Sequence, residues 1–226
     1  MLFRSRSVTN GRPPLVWDNT PVNDALMSEA LHLGPYTGRD PALRTHVAGV
    51  LVNPMQFARA SRPTIASALA WCQGRDHLAA WRTVVDSLGL RILAEATAFP
   101  DDPHWPGARP TAEWWTSVAN IDPELALAAV ESDIRPWVDA ARDGARLALA
   151  ALSADIDPDR STRARFGLAW QWREWSRRPV LTFGRGPRLR PVAANDTSGR
   201  FVADPRSFDL STSLVDDLVL RALRTG

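Results

Sequence analysis

Trp17, Asn19 and Asp24 follow one another closely behind the apolar pair Leu15-Val16, and Asn53 follows a second apolar run, Gly49-Val-Leu-Val52. An indole offers a flat floor for the apolar face of a pyranose ring, while Asn and Asp can satisfy several hydroxyls at once. If the two runs are neighbouring parallel strands, the four side chains meet at one rim, where barrel sites sit. They are the candidate substrate-binding residues. Two of them also have a plainer reading. Asn53 before Pro54 is an ordinary helix N-cap, and Asp18 or Asp24 can cap or turn the chain.

The elements that must position these residues are short. Residues 14–17 read as a buried strand, with the polar stretch 18–24 at its exit. Residues 25–32 could form a helical turn. Asp40-Pro41 should start a helix, with Asp as the cap and Pro at the first position, and Asn53-Pro54 should open another. Strand, helix, strand, helix is the unit of parallel α/β folds. A complete eight-stranded barrel takes about 250 residues, so two strands make only a part of one.

From residue 54 the pattern turns helical. Met55, Ala58, Ile65, Ala66, Leu69 and Ala70 read as one apolar face, and Trp81, Val84, Val85 and Leu88 continue at helical spacing. Residues 99–120 read as a long Pro- and Trp-rich connection. Asp122-Pro123 starts a strong helical region with the stripe Ile134, Trp137, Val138, Ala141, Ala145 and Leu152, and Pro136 marks a restart. Asp157-Pro158 should open the last long helix, with Ala164, Leu168, Trp172 and Trp175. Pro179, Pro187, Pro191 and Pro205 make residues 179–207 irregular, before an amphipathic helix over 211–224. The expected fold class is mainly α: a helical bundle preceded by a short βα remnant of a (β/α)8 barrel. Its expected units are 1–54, 55–178 and 179–226.

Composition narrows the function classes. The 226 residues include no lysine, so all 27 basic side chains are Arg against 25 Asp and Glu, leaving a net charge of +2. That near balance argues against nucleic acid, although Arg160 to Arg190 interleave with Trp170, Trp172 and Trp175. Cys72, the one cysteine, excludes an internal disulfide and reads as a small core residue. His32, His46, His77 and His104 form no metal-binding pair, so neither metal nor cofactor is expected. Gly184-Arg-Gly-Pro187 lacks the Lys and Ser/Thr of a phosphate loop and reads as a turn. Without an apolar leader or a long uncharged span, the expectation is a cytoplasmic protein away from membranes.

Val16-Trp-Asp-Asn19, Asn23-Asp24, Leu33-Gly-Pro-Tyr-Thr-Gly-Arg39, Gly49-Val-Leu-Val-Asn-Pro54 and the stretch Ala58 to Ala66 together resemble glycoside hydrolase family 84. These are the β-N-acetylglucosaminidases that include protein O-GlcNAcase and bacterial proteins labelled hyaluronidase. The resemblance covers about residues 12–75, and the later helices look like the family's helical domain. It implies that Trp17 lies beside the sugar and that Asn19 contacts it near the acetamido group. It further implies that Asp24 accepts from the 4- and 6-hydroxyls and that Asn53 binds a ring hydroxyl.

The family's chemistry is substrate-assisted: the acetamido oxygen attacks the anomeric carbon while an adjacent Asp pair orients it and moves the protons. By the resemblance that pair belongs on a strand before Trp17, and no residue of 1–16 supplies it. Asp101-Asp102 falls in the irregular connection, and Asp216-Asp217 reads as the solvated face of the last helix. No catalytic residue is therefore assigned. The expected function is a truncated homologue, inactive alone, with weak or vestigial affinity for an N-acetylglucosamine-containing glycan. Two alternatives stand beside it. One is a full hydrolase, completed by a partner chain or by a longer reading frame; the other is a helical interaction module that self-associates.

Overall fold

The computed structural model describes residues 11–24, 28–98, 110–156, 162–184, 186–189, 193–195, 201–203, 208–211 and 213–224. Strand β1, Leu15–Asp18, pairs in parallel with β2, Gly49–Val52, in the register Trp17 with Leu51 and Asp18 with Val52. The ladder runs on at both ends, with Ala48 N–H donating to Pro14 and Asn53 N–H to Asp18 at 2.9 Å each. Between them lies α1, Leu43–His46. The Asp40 carboxylate does accept from Ala42 N–H at 2.9 Å, so the start signal works, but the helix follows it by two residues and stays one turn long.

Seven longer helices come next. They are α2, Arg62–Cys72; α3, His77–Ser87; α4, Arg91–Thr97; α5, Ala112–Ala119; α6, Pro123–Ala129; α7, Arg135–Ile156; and α8, Thr162–Ser176. Local chemistry sets several starts. Asp76 accepts from Ala79 N–H, Thr111 from Trp114 N–H, and Asp122 from both Glu124 and Leu125 N–H, each satisfying an otherwise orphaned donor. Two antiparallel pairs come after them, β3 (Gly186–Leu189) with β6 (Phe208–Ser211) and β4 (Ala193–Asn195) with β5 (Phe201–Ala203). Helix α9, Leu214–Arg224, closes the order. The fold is mainly helical with a small parallel sheet in front, as the sequence pattern indicates.

The core is built on α7, against which α5, α8 and α9 pack. Of the stripe expected from the sequence, Ile134, Val138, Ala141 and Ala145 are fully buried and Trp137 is buried, while Leu152 is only partly so. Gly144 on the same helix admits two aromatic rings. A methyl there would lie 2.7 Å from Phe183 Cε2 and 2.9 Å from Trp175 Cζ2. Phe183, with φ of 57°, is held in this unusual conformation by packing on Trp114, Trp115 and Trp175. Trp175 also donates to Ala140 O at 2.8 Å.

Several expectations need correction. Residues 14–17 form a strand, but not a buried one: Leu15 is 58% and Trp17 65% exposed. No helix opens at Asn53-Pro54. The backbone there is spent elsewhere, since Asn53 N–H extends the sheet while Arg59 and Ala60 N–H donate to the Glu131 carboxylate. The helix starts at Arg62 instead, and it buries Pro63, Thr64, Ser67, Ala68, Ala70 and Trp71. Ile65, Leu69 and Cys72 face solvent, so neither the inferred apolar face nor a core cysteine holds. The connection 99–120 contains α5, and the stretch 179–207 contains strands, because antiparallel pairing satisfies a backbone that local propensity leaves open. Residues 25–27, the start of the supposed helical turn, and Asp157-Pro158 lie outside the described residues; the rest of that stretch, 28–32, forms no helix, and Ala30 bridges to Leu181 instead.

Candidate functional site at the strand ends

Parallel strands of equal length deliver the residues beyond their C-terminal ends to one side, and here they deliver Asn19 and Asn53 together. The Asn53 side-chain amide donates to Asn19 Oδ1 at 3.3 Å, and the Trp17 indole N–H donates to the same oxygen at 2.7 Å. One amide oxygen thus ties both strands and fixes the indole. This arrangement answers the plainer reading of Asn53: its side chain turns to the neighbouring strand end, and no helix starts there for it to cap. Asp24 is exposed, and no hydrogen bond joins it to the other three among the described residues. The trio is assembled; Asp24 stands apart.

The site has a supporting shell that the sequence reading missed. Asp18, pointing to the opposite face of β1 from Trp17, accepts from Tyr36 Oη at 2.6 Å, from Arg39 Nε at 3.0 Å and from Arg39 Nη2 at 2.7 Å. Arg39 also donates to Thr20 Oγ1 at 2.5 Å and to the Thr37 carbonyl, while its guanidinium lies 4.2 Å from the centre of the Tyr36 ring. Burial pushes the Asp18 carboxyl up, but the hydrogen bonds from Arg39 and Tyr36 and the charge of Arg39 outweigh it and hold the group below its ordinary value. Burial and the Asp18 carboxylate together raise the Tyr36 phenol well above its usual range. The available signal was the Tyr36-x-x-Arg39 spacing after a Gly-Pro turn, although nothing local pairs it with Asp18.

The loop that carries Tyr36 is sewn to the helices through its backbone, by two carbonyls and one N–H. Trp81 Nε1–H donates to Leu33 O at 2.7 Å, Thr64 Oγ1–H to Gly34 O at 2.6 Å, and Ser67 Oγ accepts from Tyr36 N–H at 3.0 Å. Trp137 Nε1–H reaches back to Glu29 O at 2.9 Å. Behind the sheet, Tyr36, Ala68 and Trp71 pack with Leu43, Val50 and Val52. In front of it, Leu15, Trp17 and Leu51 are open. A sheet buried on one face only, with two parallel strands, presents a floor and an edge.

Chemically, this end of the molecule offers an exposed indole, two carboxamides and one detached carboxylate. Those groups bind; they do not by themselves form an acid–base pair. Of the two Asp doublets, Asp101-Asp102 lies outside the described residues. Asp216 does not belong to a solvated face: it is buried, accepts from Trp172 Nε1–H at 2.6 Å and caps α9 through Ser213 N–H at 2.9 Å, with Ser213 Oγ accepting in return from Asp216 N–H at 3.1 Å. It is a structural carboxylate. No cluster of three His, Cys, Asp or Glu able to hold a metal occurs among the described residues.

Residues 3–98 match the family model described as beta-N-acetylglucosaminidase. Among solved structures, a mutant O-GlcNAc hydrolase from Thermobaculum terrenum aligns with 99% of this chain at a TM-score of 0.65 and 18% identity. The proteins named CpGH84B and CpGH84D align with 80% and 95% of it, at TM-scores of 0.57 and 0.54 and identities of 17% and 18%. At such identities the likeness is one of fold. This chain spans 51% of the first structure and 40% of each of the other two.

Proposed function

We propose that residues 3–98, which match the beta-N-acetylglucosaminidase family model, serve as one wall of a GlcNAc-binding rim like that of glycoside hydrolase family 84, with no hydrolysis by this 226-residue polypeptide alone. The observation that carries this reading is the shared Asn19 oxygen, which draws Trp17 and Asn53 into one group at the ends of two parallel strands. A pyranose would rest on the indole, with Asn19 and Asn53 meeting the acetamido group and a ring hydroxyl. Asp24 would turn inward to accept from the 4- and 6-hydroxyls. Substrate-assisted cleavage also needs a paired carboxylate at a strand end. Asp216 is committed to its cap, and no described strand ends in an Asp pair.

Incubation with an aryl β-N-acetylglucosaminide tests the proposal. No release of the aryl group is expected, whereas GlcNAc should give saturation-transfer signals that Trp17→Ala weakens. Turnover by the purified polypeptide overturns the missing-pair argument. Signals unchanged in the Trp17→Ala variant overturn the rim.

A second reading is favoured by the open face of the sheet. Leu15, Trp17 and Leu51 form an apolar floor of the kind that further parallel strands cover. Polypeptide supplying those strands and a carboxylate pair would make the assembly a hydrolase of terminal β-linked N-acetylglucosamine. Activity that arises only on adding such a polypeptide would establish it.

A further inference from the structure

A groove of about 600 Å³ separates α7 from α8 and shares no residue with the strand-end group. Asp143 and Arg146 line one side, Trp170, Gln171 and Glu174 the other, and Arg178 closes it. Trp170 is 53% exposed, and it and Trp17 are the exposed tryptophans among the described residues. Its neighbours on the helix spend their indole N–H groups on Asp216 and Ala140, so they are structural and Trp170 is not. The Arg173 guanidinium lies 5.8 Å from its ring centre and props the indole at the groove.

The charges decide what fits. Asp143 accepts from Arg146 Nη1 at 2.7 Å and from Arg178 Nη2 at 2.5 Å, and Glu174 pairs with Arg177 at 3.1 Å. The lining therefore balances two guanidinium groups against two carboxylates. A phosphate or nucleic acid would meet both carboxylates. Leu147 and the buried Trp175 also line the groove, but an apolar helix would have to bury four charged groups against one exposed indole, which costs far more than that ring returns. An uncharged polyhydroxyl ligand meets neither objection. Its ring face can lie on Trp170 while its hydroxyls donate to Asp143 and Glu174 and accept from Arg146 and Gln171. The volume lies within the ordinary range for small-ligand sites.

We propose that the α7–α8 groove is a second carbohydrate-binding site, which takes a neutral pyranose of an oligosaccharide stacked on Trp170. It goes beyond the strand-end reading and does not rest on it.

Calorimetric titration of the full chain carrying Trp17→Ala, with N,N′-diacetylchitobiose and with cellobiose as probes, isolates this groove. Binding of at least one probe is expected, insensitive to salt, and weakened at least about tenfold when Trp170→Ala is added. Because Trp170 is exposed, that variant should keep its helical circular dichroism, and Glu174→Gln should weaken binding without touching the core. Failure of both probes to bind, or binding indifferent to Trp170→Ala, overturns the proposal. So does a Trp170-dependent dimer in sedimentation, since a second copy would then occupy the groove. The strand-end reading fails separately, through loss of Trp17-dependent GlcNAc binding.

Discussion

Arg39 grips Asp18 through two nitrogens, Nη2 to Oδ1 at 2.7 Å and Nε to Oδ2 at 3.0 Å, and so locks the loop after Gly34 to the end of the first strand. The planar fork suits a carboxylate in a way an ammonium does not. Arg39→Ala leaves Asp18 in a mostly enclosed place with Tyr36 as its chief remaining donor. A loss of about 2 kcal/mol is expected, below the full figure for a buried pair because Arg39 keeps some exposure. Arg39→Lys should recover only part of it. Urea unfolding of the three proteins measures this.

The same pair sets an acid limit. The Asp18 carboxyl is held below its ordinary 3.8 in the fold, so the unfolded chain takes up the proton first as pH falls. Its contribution is complete above that value and is lost as pH drops through the folded value. In Asp18→Asn this dependence should vanish below about pH 4, read as a flatter curve of stability against pH.

His32 acts in a higher window. Burial lowers its pKa from 6.5 to about 4, so the folded protein keeps the ring neutral where the unfolded chain binds a proton. Stability should therefore be complete above pH 6.5 and decline toward pH 4 by about 1.4 kcal/mol per pH unit. His32→Gln should remove most of that slope. Denaturant titrations across this range distinguish it from Asp18, which titrates lower.

Gly144→Ala places a methyl against Phe183 and Trp175 at distances that neither ring tolerates. Both rings are buried and packed on further aromatics, so the strain cannot dissipate into solvent. A destabilisation of about 1–3 kcal/mol is expected from overpacking. Thermal unfolding reads it, and Gly167→Ala, where a methyl meets nothing within 4 Å, is the control.

Glu131 closes the turn before α2 by accepting from Arg59 N–H at 2.5 Å and Ala60 N–H at 3.1 Å across 71 residues or more. Glu131→Ala returns the exposed Arg59 N–H to water and leaves only the part-buried Ala60 N–H without its acceptor, at a cost of about 1 kcal/mol. Glu131→Gln keeps one acceptor and should fall between. Faster amide exchange at Ala60 in the alanine variant would locate the effect.

The short apolar runs at residues 14–17 and 49–52 were enough to identify two strands, though not which face of the first lies open, and the Trp, Asn and Asp types at their ends were enough to suggest a sugar rim. Local propensities also set the α7 stripe and the Asp76, Thr111 and Asp122 caps, because each depends on residues within one or two turns. Other features needed partners distant in sequence. Tertiary structure alone decided that Asn53 bonds to Asn19 rather than capping a helix. It alone recruited Asp18 to Arg39, buried Asp216 beneath Trp172 and turned Cys72 outward. Each is a choice between two competent partners for one polar or apolar group. Spacing along the chain cannot rank such partners, because the ranking rests on which surfaces packing brings within hydrogen-bonding reach.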